Sequence, residues 1–476
     1  MGSFGSGSFR SLGQEDTPTE SVCQKGDEDM KTWSRDALHV SGNGRYLMEG
    51  ESPFFWLGDT AWLMLQKLGE EEIRIYLRNR KEKGFNVIQT VLAHTLPGKE
   101  VNSSLADGVK DVTKPEYWCF VDRVVKLAEE AGLYLGLLPA WGSLVKQGIL
   151  NRENVDRYAS FLGKRYQSAP NIIWILGGDV RGDAGEEVFR REGEIFKSYN
   201  PDRLVTYHPF GRTSSSLWFH EEPWLDFNMF QSGHRRYDQA SLGEWDDNRE
   251  KETFFGEDNW RYVERDHGYE RDKPTLDGEP SYEGIPQGLH NPRNPFWEEW
   301  DVRRYAYWAA FAGAAGHTYG SNAIMQFCDD LTGKGSYGVR EVWKDALHHP
   351  GAGQMRYLKE LMESVDFVQG RPEDSMLRFG QKERYHRISV FAGEDFVFCY
   401  DYSGDEFLLD LTRYQDKEMD AWWMDPRSGV YSYIDTLKGQ EKRLFGPAAR
   451  REGANDWVLV LKKSTRGREG SGYEDN

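Results

Sequence analysis

The chain has 476 residues, a formal net charge of -18 and four cysteines. That length fits one large and one small domain with a core that needs no disulfide staple. The acidity argues against nucleic acid or an anionic membrane as partner, and no apolar run of about 18 residues is present to span a bilayer.

Residues 1–35 are polar and rich in Gly and Ser, and are expected to be disordered. They carry neither a basic n-region nor an apolar h-region, which points to a cytoplasmic protein. Met1-Gly2 followed by Ser6 fits a myristoylation pattern too loosely to adopt. Cys23, Cys119, Cys328 and Cys399 are far apart in sequence and make no C-x-x-C pair. They read as free, mostly buried thiols of a reducing compartment.

From about residue 40 apolar runs of strand length alternate with amphipathic helices, the rhythm of βα units on a parallel sheet. PFFWLGD (53–59) precedes a helix over 70–84, where Ile73, Tyr76, Leu77 and Arg80 recur at helical spacing. FNVIQTVLAH (85–94) precedes a helix over 115–132, with Phe120, Val124, Leu127 and Ala128 on one face. LYLGLLPAW (133–141) leads to a helix over 154–170, and NIIWILGGD (171–179) to one over 186–201. RLVTYHPFG (203–211) and DFNMFQSGH (226–234) have only SSSLWFHEEPWL between them, short for a helix. A charged stretch, 235–272, is expected to cover part of a cleft. KPTLDGEPSYEG (273–284) is the seventh strand, followed by a helix over 302–316, and HTYGSNAIMQF (317–327) is the eighth, closed by a helix over 354–365.

Eight such units make an α/β fold, a (β/α)8 TIM barrel, spanning 36–368. An open doubly wound sheet would show a Gly-rich phosphate turn where this chain has GDTAW. Beyond residue 369 short alternating strands predict a C-terminal β-sandwich over 369–464, with a disordered tail at 465–476. The sandwich is either a binding module or a structural cap, and Trp422-Trp423 is its one notable aromatic pair.

Barrel chemistry sits at the C-terminal strand ends. The polar and aromatic residues there are Asp59, Trp62, His94, Trp141, Asp179, His208, Gln231, Glu279, His317 and Tyr319. Asp179 ends strand four and Glu279 strand seven, on opposite sides of the ring, so the two carboxylates can face each other. That pair suits glycoside hydrolysis, with one carboxylic acid protonating the leaving oxygen and one carboxylate attacking the anomeric carbon or activating water. Gly177-Gly178 would let a sugar approach the backbone. Asp59 reads equally as a hydroxyl-binding carboxylate and as a cap for a helix starting near Thr60. Trp62, His94, Trp141, His208, Gln231 and Tyr319 are expected to contact substrate.

No metal or other cofactor is expected. His94, His208, His234 and His317 lie near strand ends, but the H-x-H of metallohydrolase barrels is absent after strand one. No G-x-S-x-G elbow occurs either. The expected partner is a carbohydrate substrate, with the oligomeric state left open.

The segment NGRYLMEGESPFFWLGDTAWLMLQKLGEEEIRIYLRNRKEKGFNVIQTVLAH resembles the opening of the apiosidase-like glycoside hydrolase family. WILGGD and DGEPSYE resemble its two catalytic segments and HTYGSNAIMQF its last barrel strand. The C-terminal part is similar to the collagen-binding-type β domain often attached to these barrels. The resemblance implies a retaining mechanism, with Asp179 as acid/base and Glu279 as nucleophile, on a plant-type oligo- or polysaccharide or small glycoside, apiosides included. Retention would place the two carboxyl groups about 5–5.5 Å apart. The alternative is a catalytically silent barrel that only binds carbohydrate.

Overall fold

The computed structural model describes residues 33, 35–95, 110–239, 255–332, 335–439, 441–451 and 454–464. The expectations for residues 1–32, for Cys23 and for the tail lie outside the described residues, as does 240–254 of the charged stretch. Trp33 and Arg35, at the end of the N-terminal segment, pack on the Tyr134 ring.

Eight strands run parallel: β1 Trp56–Thr60, β2 Val87–Ala93, β3 Tyr134–Ala140, β4 Ile172–Val180, β5 Val205–Pro209, β6 Asn228–Gln231, β7 Thr275–Asp277 and β8 Gly316–Tyr319. The longer helices are α1 Glu70–Glu82, α2 Pro115–Glu130, α3 Val155–Arg165, α4 Glu186–Tyr199, α5 Trp260–Asp266, α6 Glu299–Phe311 and α7 Pro350–Glu363. Pairing runs β5-β4-β3-β2-β1-β8-β7-β6. The β5–β6 seam is closed by the Asp226 N–H donating to Val205 O (2.9 Å) and the Thr206 hydroxyl donating to Phe227 O (2.6 Å).

Strand periodicity splits the core in two. Val87, Val91, Leu138, Ile173 and Ile175 point into the barrel with Trp56, Phe227 and Met229. Ile88, Leu92, Leu135, Leu137, Trp174 and Leu176 point out to the helix layer, onto Tyr76, Val124, Ala128, Leu162 and Phe196. Strands buried on both faces read as continuous apolar runs, as these do.

Three elements differ from expectation. β7 pairs over only three residues, leaving the chain after Asp277 as a loop. The run 317–327 divides into β8 and a one-turn helix, Asn322–Met325, because an apolar run this short fits either structure. Gly316 opens β8 and does not end α6, which stops at Phe311. Between β5 and β6 only Ser216–Phe219 is helical.

The cysteine expectation is corrected. Cys328 and Cys399 are free and buried, but Cys119 is disulfide-bonded. Wide sequence spacing excludes local Cys motifs and does not exclude a disulfide, which needs only that the chain bring two Cα atoms close. Among the described residues no helix is long and apolar enough to cross a membrane.

The C-terminal sandwich has a six-stranded antiparallel sheet, in spatial order Arg371–Pro372, Ile388–Ala392, Phe396–Asp401, Trp457–Lys463, Glu418–Met424 and Tyr431–Lys438. A three-stranded sheet of Leu377–Phe379, Phe407–Asp410 and Lys442–Phe445 faces it. Ile388, Val390, Val397, Cys399, Leu459 and Leu461 fill the space between the sheets. The alternate residues Phe391, Phe398, Tyr400, Val458 and Val460 pack instead on the barrel. Tyr400 stacks on Tyr307 of α6, with ring centroids 4.6 Å apart. Trp422 and Trp423 therefore point to opposite faces, and Trp423 is buried in the sandwich core.

One ion pair is sealed into this junction. Asp456 accepts two hydrogen bonds from Arg303 of α6 (2.8 and 2.9 Å), one from Arg427 (2.8 Å) and one from the Tyr400 hydroxyl (3.1 Å). Arg303 and Asp456 are both essentially unexposed. Removing one member of such a pair strands the other charge in a dry site. Asp456→Ala is expected to lower the stability of the full chain by about 3–5 kcal/mol, read by denaturant unfolding. The exposed Arg152–Glu187 pair should give about 1 kcal/mol or less when broken.

Candidate active site

The cleft lies at the C-terminal ends of the barrel strands and has a volume of about 470 Å³. That falls in the range of small-ligand sites. Asp179 and Glu279 both line it, with Trp62, His94, Trp141, Gln231 and Tyr282 among the other wall residues.

Asp179 reaches the cleft because β4 bulges at its end. The β4–β5 register slips between Gly177 and Val180, and Gly177, Gly178 and Asp179 all take positive φ (83°, 104° and 53°). A Cβ on Gly177 would stand 2.5 Å from His208 O, and one on Gly178 2.7 Å from the Trp141 ring. Left-handed backbone costs L-residues energy, and Asp is among the few that visit it. The two glycines thus kink the strand and admit the protein's own Trp141 ring, where a sugar was expected. The kink leaves the Asp179 side chain exposed in the cleft.

Glu279 sits in the loop after β7 and is nearly buried. His234 Nε2 is 3.1 Å from its Oε1, within hydrogen-bond reach. His208 Nε2 is 3.3 Å from its Oε2, close enough for attraction but off the line of a good hydrogen bond. The Asp179 N–H points at His208 Nδ1 from 3.5 Å, a long contact, so one ring nitrogen faces the Asp179 backbone and the other faces Glu279. His208 thereby touches both carboxylate-bearing segments. Asp277 anchors the next loop, accepting the Ser232 hydroxyl (2.6 Å) and Asn259 Nδ2 (3.2 Å).

The two carboxyls hold opposite protonation preferences. Enclosure by the cleft walls and the facing Glu279 charge raise Asp179 to about 6, against the pull of His208, His234 and Arg235. Its mouth is open to water, so the Glu279 charge is the firmer of these causes. Burial pushes Glu279 up as well, but the His208 and His234 imidazoles facing its two oxygens overcome it and hold Glu279 down at about 2. Burial, with help from Lys67, lowers His94 to about 4, which keeps that ring neutral.

Aromatic rings floor the cleft. Trp62 stands 5.4 Å from Trp141 and 5.3 Å from His208, and His94 stacks on Trp141 at 5.2 Å. Trp62 Nε1 donates to the Tyr282 hydroxyl at 3.0 Å.

Two residues expected at the site lie elsewhere. Asp59 is fully buried on the outer side of β1, where it accepts from Arg80 Nε and the Tyr76 hydroxyl of α1, both at 2.5 Å. It neither reaches the cleft nor caps a helix. Tyr319 pairs beside it in register and donates to Glu283 Oε2 at 2.7 Å. Period two sends both side chains to the helix layer. His317, of the same parity, is wholly buried.

In the sequence His234 stands out only as a candidate metal ligand, and Tyr282 and Arg235 do not stand out. His234 ends the sixth apolar run and Tyr282 follows Glu279 by three residues, so position alone could have marked them. Among the described residues no group of three or more His, Cys, Asp or Glu is arranged to hold a metal ion.

Comparison with known proteins identifies the family. Residues 41–369 match the family model "Apiosidase-like, catalytic domain". Residues 372–462 match "Putative collagen-binding domain of a collagenase". A solved structure titled "Glycoside hydrolase" is 39% identical, covering 92% of this chain and 99% of its own, with a TM-score of 0.83. A glycoside hydrolase family 5 structure from Bacteroides vulgatus ATCC 8482 is also 39% identical, covering 90% of this chain and 94% of its own, with a TM-score of 0.82. No curated protein matches the chain. The family model spans well over half the chain, both of these solved structures are glycoside hydrolases, and the chain belongs to the apiosidase-like family of glycoside hydrolases.

Proposed function

We propose that this protein is a retaining glycosidase in which Asp179 is the acid/base and Glu279 the nucleophile. One observation carries the assignment: two carboxyls lining one cleft are pushed in opposite directions, Asp179 to about 6 and Glu279 to about 2. A general acid must hold its proton at working pH and a nucleophile must not. Glu279 attacks the anomeric carbon while Asp179 gives its proton to the leaving oxygen. Asp179, now a carboxylate, then takes a proton from the water that breaks the glycosyl–enzyme bond. Trp62 and Trp141 offer ring faces for the C–H face of a sugar, and Gln231 and His94 offer polar atoms for its hydroxyls. The substrate class is a plant-type oligosaccharide, polysaccharide or small glycoside, and an apioside is the first candidate.

The test is turnover of a panel of aryl glycosides that includes an apioside. Glu279→Ala should abolish turnover, and azide should restore it with a glycosyl azide of inverted configuration. Asp179→Ala should lose about 10²–10⁴ in kcat/KM on substrates with poor leaving groups and far less on those whose leaving group needs no proton. Full activity in both variants on a cleaved substrate would overturn the assignment.

The pH profile follows from the same pair. Activity requires Asp179 protonated and Glu279 ionised, so kcat/KM should fall as pH rises through about 6 and again as pH drops toward about 2. Glu279→Gln removes the negative charge that lifts Asp179, so the Asp179 midpoint, followed by carboxyl NMR, should move down. An upward or absent shift would contradict the coupling.

A further inference from the structure

We propose that the C-terminal sandwich braces the catalytic cleft from outside it, and that Tyr385 is a positioning residue for Glu279. This rests on the reading of Glu279 as the nucleophile.

The segment after β6 carries His234, which touches Glu279, then Arg235, which lines the cleft, and two residues later Tyr237. Tyr237 meets the sandwich through two ring contacts and one shared carboxylate. Its N–H donates to Glu257 Oε1 at 3.2 Å, and the Tyr385 hydroxyl donates to the same oxygen at 2.8 Å. The Tyr385 ring meets the Tyr237 ring edge-on at 5.6 Å, and the Arg384 guanidinium lies 4.7 Å from the Tyr237 ring. The Tyr237 hydroxyl donates to Asp258.

Glu257 is the junction. It is wholly buried, and its second oxygen takes Arg304 Nη2 of α6 at 2.7 Å. Arg304 is itself unexposed, with its guanidinium 4.9 Å from the Tyr385 ring and 5.3 Å from the Tyr402 ring. The sandwich thus supplies a hydroxyl to the carboxylate and ring faces to the guanidinium of a barrel ion pair that would otherwise be open on that side. The turn presenting Tyr385 is strained, since Arg384 holds φ at 54°, a conformation maintained only where the surroundings over-determine it. Ser403 Oγ donates to the Tyr385 carbonyl at 2.5 Å and helps to hold it.

On its other side the segment is pinned by the barrel. His234 O accepts from the Gly288 N–H (2.8 Å) and from Trp297 Nε1 (3.2 Å). His234 is therefore held at its own carbonyl by the barrel and, three residues on at Tyr237, by the sandwich. Slackening the second hold lets the imidazole withdraw from Glu279, whose low protonation midpoint depends on it.

The experiment uses the full chain and the variants Tyr385→Phe, which keeps the ring, and Tyr385→Ala, with Tyr433→Phe on the exposed edge strand as control. Side-chain carboxyl NMR follows Glu279 between pH 3.5 and 8, and thermal unfolding is measured alongside. In the wild type and the control Glu279 should remain ionised across that window. In Tyr385→Ala its midpoint should rise by about one unit or more, so that at least the upper end of its titration enters the window, with a smaller rise in Tyr385→Phe. On a substrate identified by the panel, kcat should fall about tenfold with KM little changed. A Glu279 titration in both variants identical to wild type would overturn the proposal and leave the barrel anchor sufficient. The titration needs no turnover, so it separates failure of this proposal from failure of the glycosidase reading, which Glu279→Ala decides.

Discussion

Two carboxyl groups facing one small cleft cannot both be ionised cheaply, and the site is organised around that repulsion. Burial alone raises both, so it cannot separate their roles. The separation comes from His208 and His234, which reach Glu279 from the ends of the two strands preceding β7. Asp179, on β4, receives no carboxyl-directed hydrogen bond among the described contacts and feels the Glu279 charge directly. Once Glu279 is fixed as the ionised member, Asp179 is left as the one that keeps a proton.

The parallel barrel makes this arrangement possible because every strand delivers its C-terminal end to the same rim. His208 lies on β5, hydrogen-bonded neighbour of β4, and reaches the Asp179 backbone through one ring nitrogen and Glu279 through the other. The β4 kink, the His208 ring and the Glu279 charge therefore form one connected unit. The Gly178 position has no slack: a methyl there would push on Trp141, which stacks on His94 and sits against Trp62. A change remote from both carboxyls can reach them through these rings.

The sequence made strand order, helix faces and the two cleft carboxylates legible, because each follows from hydrophobic period and from the rule that chemistry sits at strand ends. It placed a Cα at the rim but not the direction of its side chain. Asp59 and Tyr319 show the difference, since both stand at the ends of barrel strands and both turn outward, to α1 and to Glu283. Their direction depends on register with neighbouring strands, and a single residue of slip reverses it. His234 looked like a stray ligand because its partner, Glu279, is 45 residues away in sequence. Gly177-Gly178 signalled close approach correctly, but only the packed structure identifies the approaching group as Trp141. The disulfide at Cys119 likewise depends on through-space proximity that spacing does not report.

The sandwich illustrates the same limit at domain scale. Its strands alternate apolar residues on both faces, which in isolation suggests only a two-sheet core. In the folded chain one face of the six-stranded sheet closes on the small sheet and the other on α6, so neither is available as a flat sugar-binding platform. What remains open is the outer side of the small sheet, where Phe379 and Leu444 are exposed, and the edge strand with Tyr431 and Tyr433. This domain spends both faces of its main sheet on contacts within the chain and seals Arg303 and Asp456 beneath it. Any contact it makes with a polysaccharide must use its edges and loops.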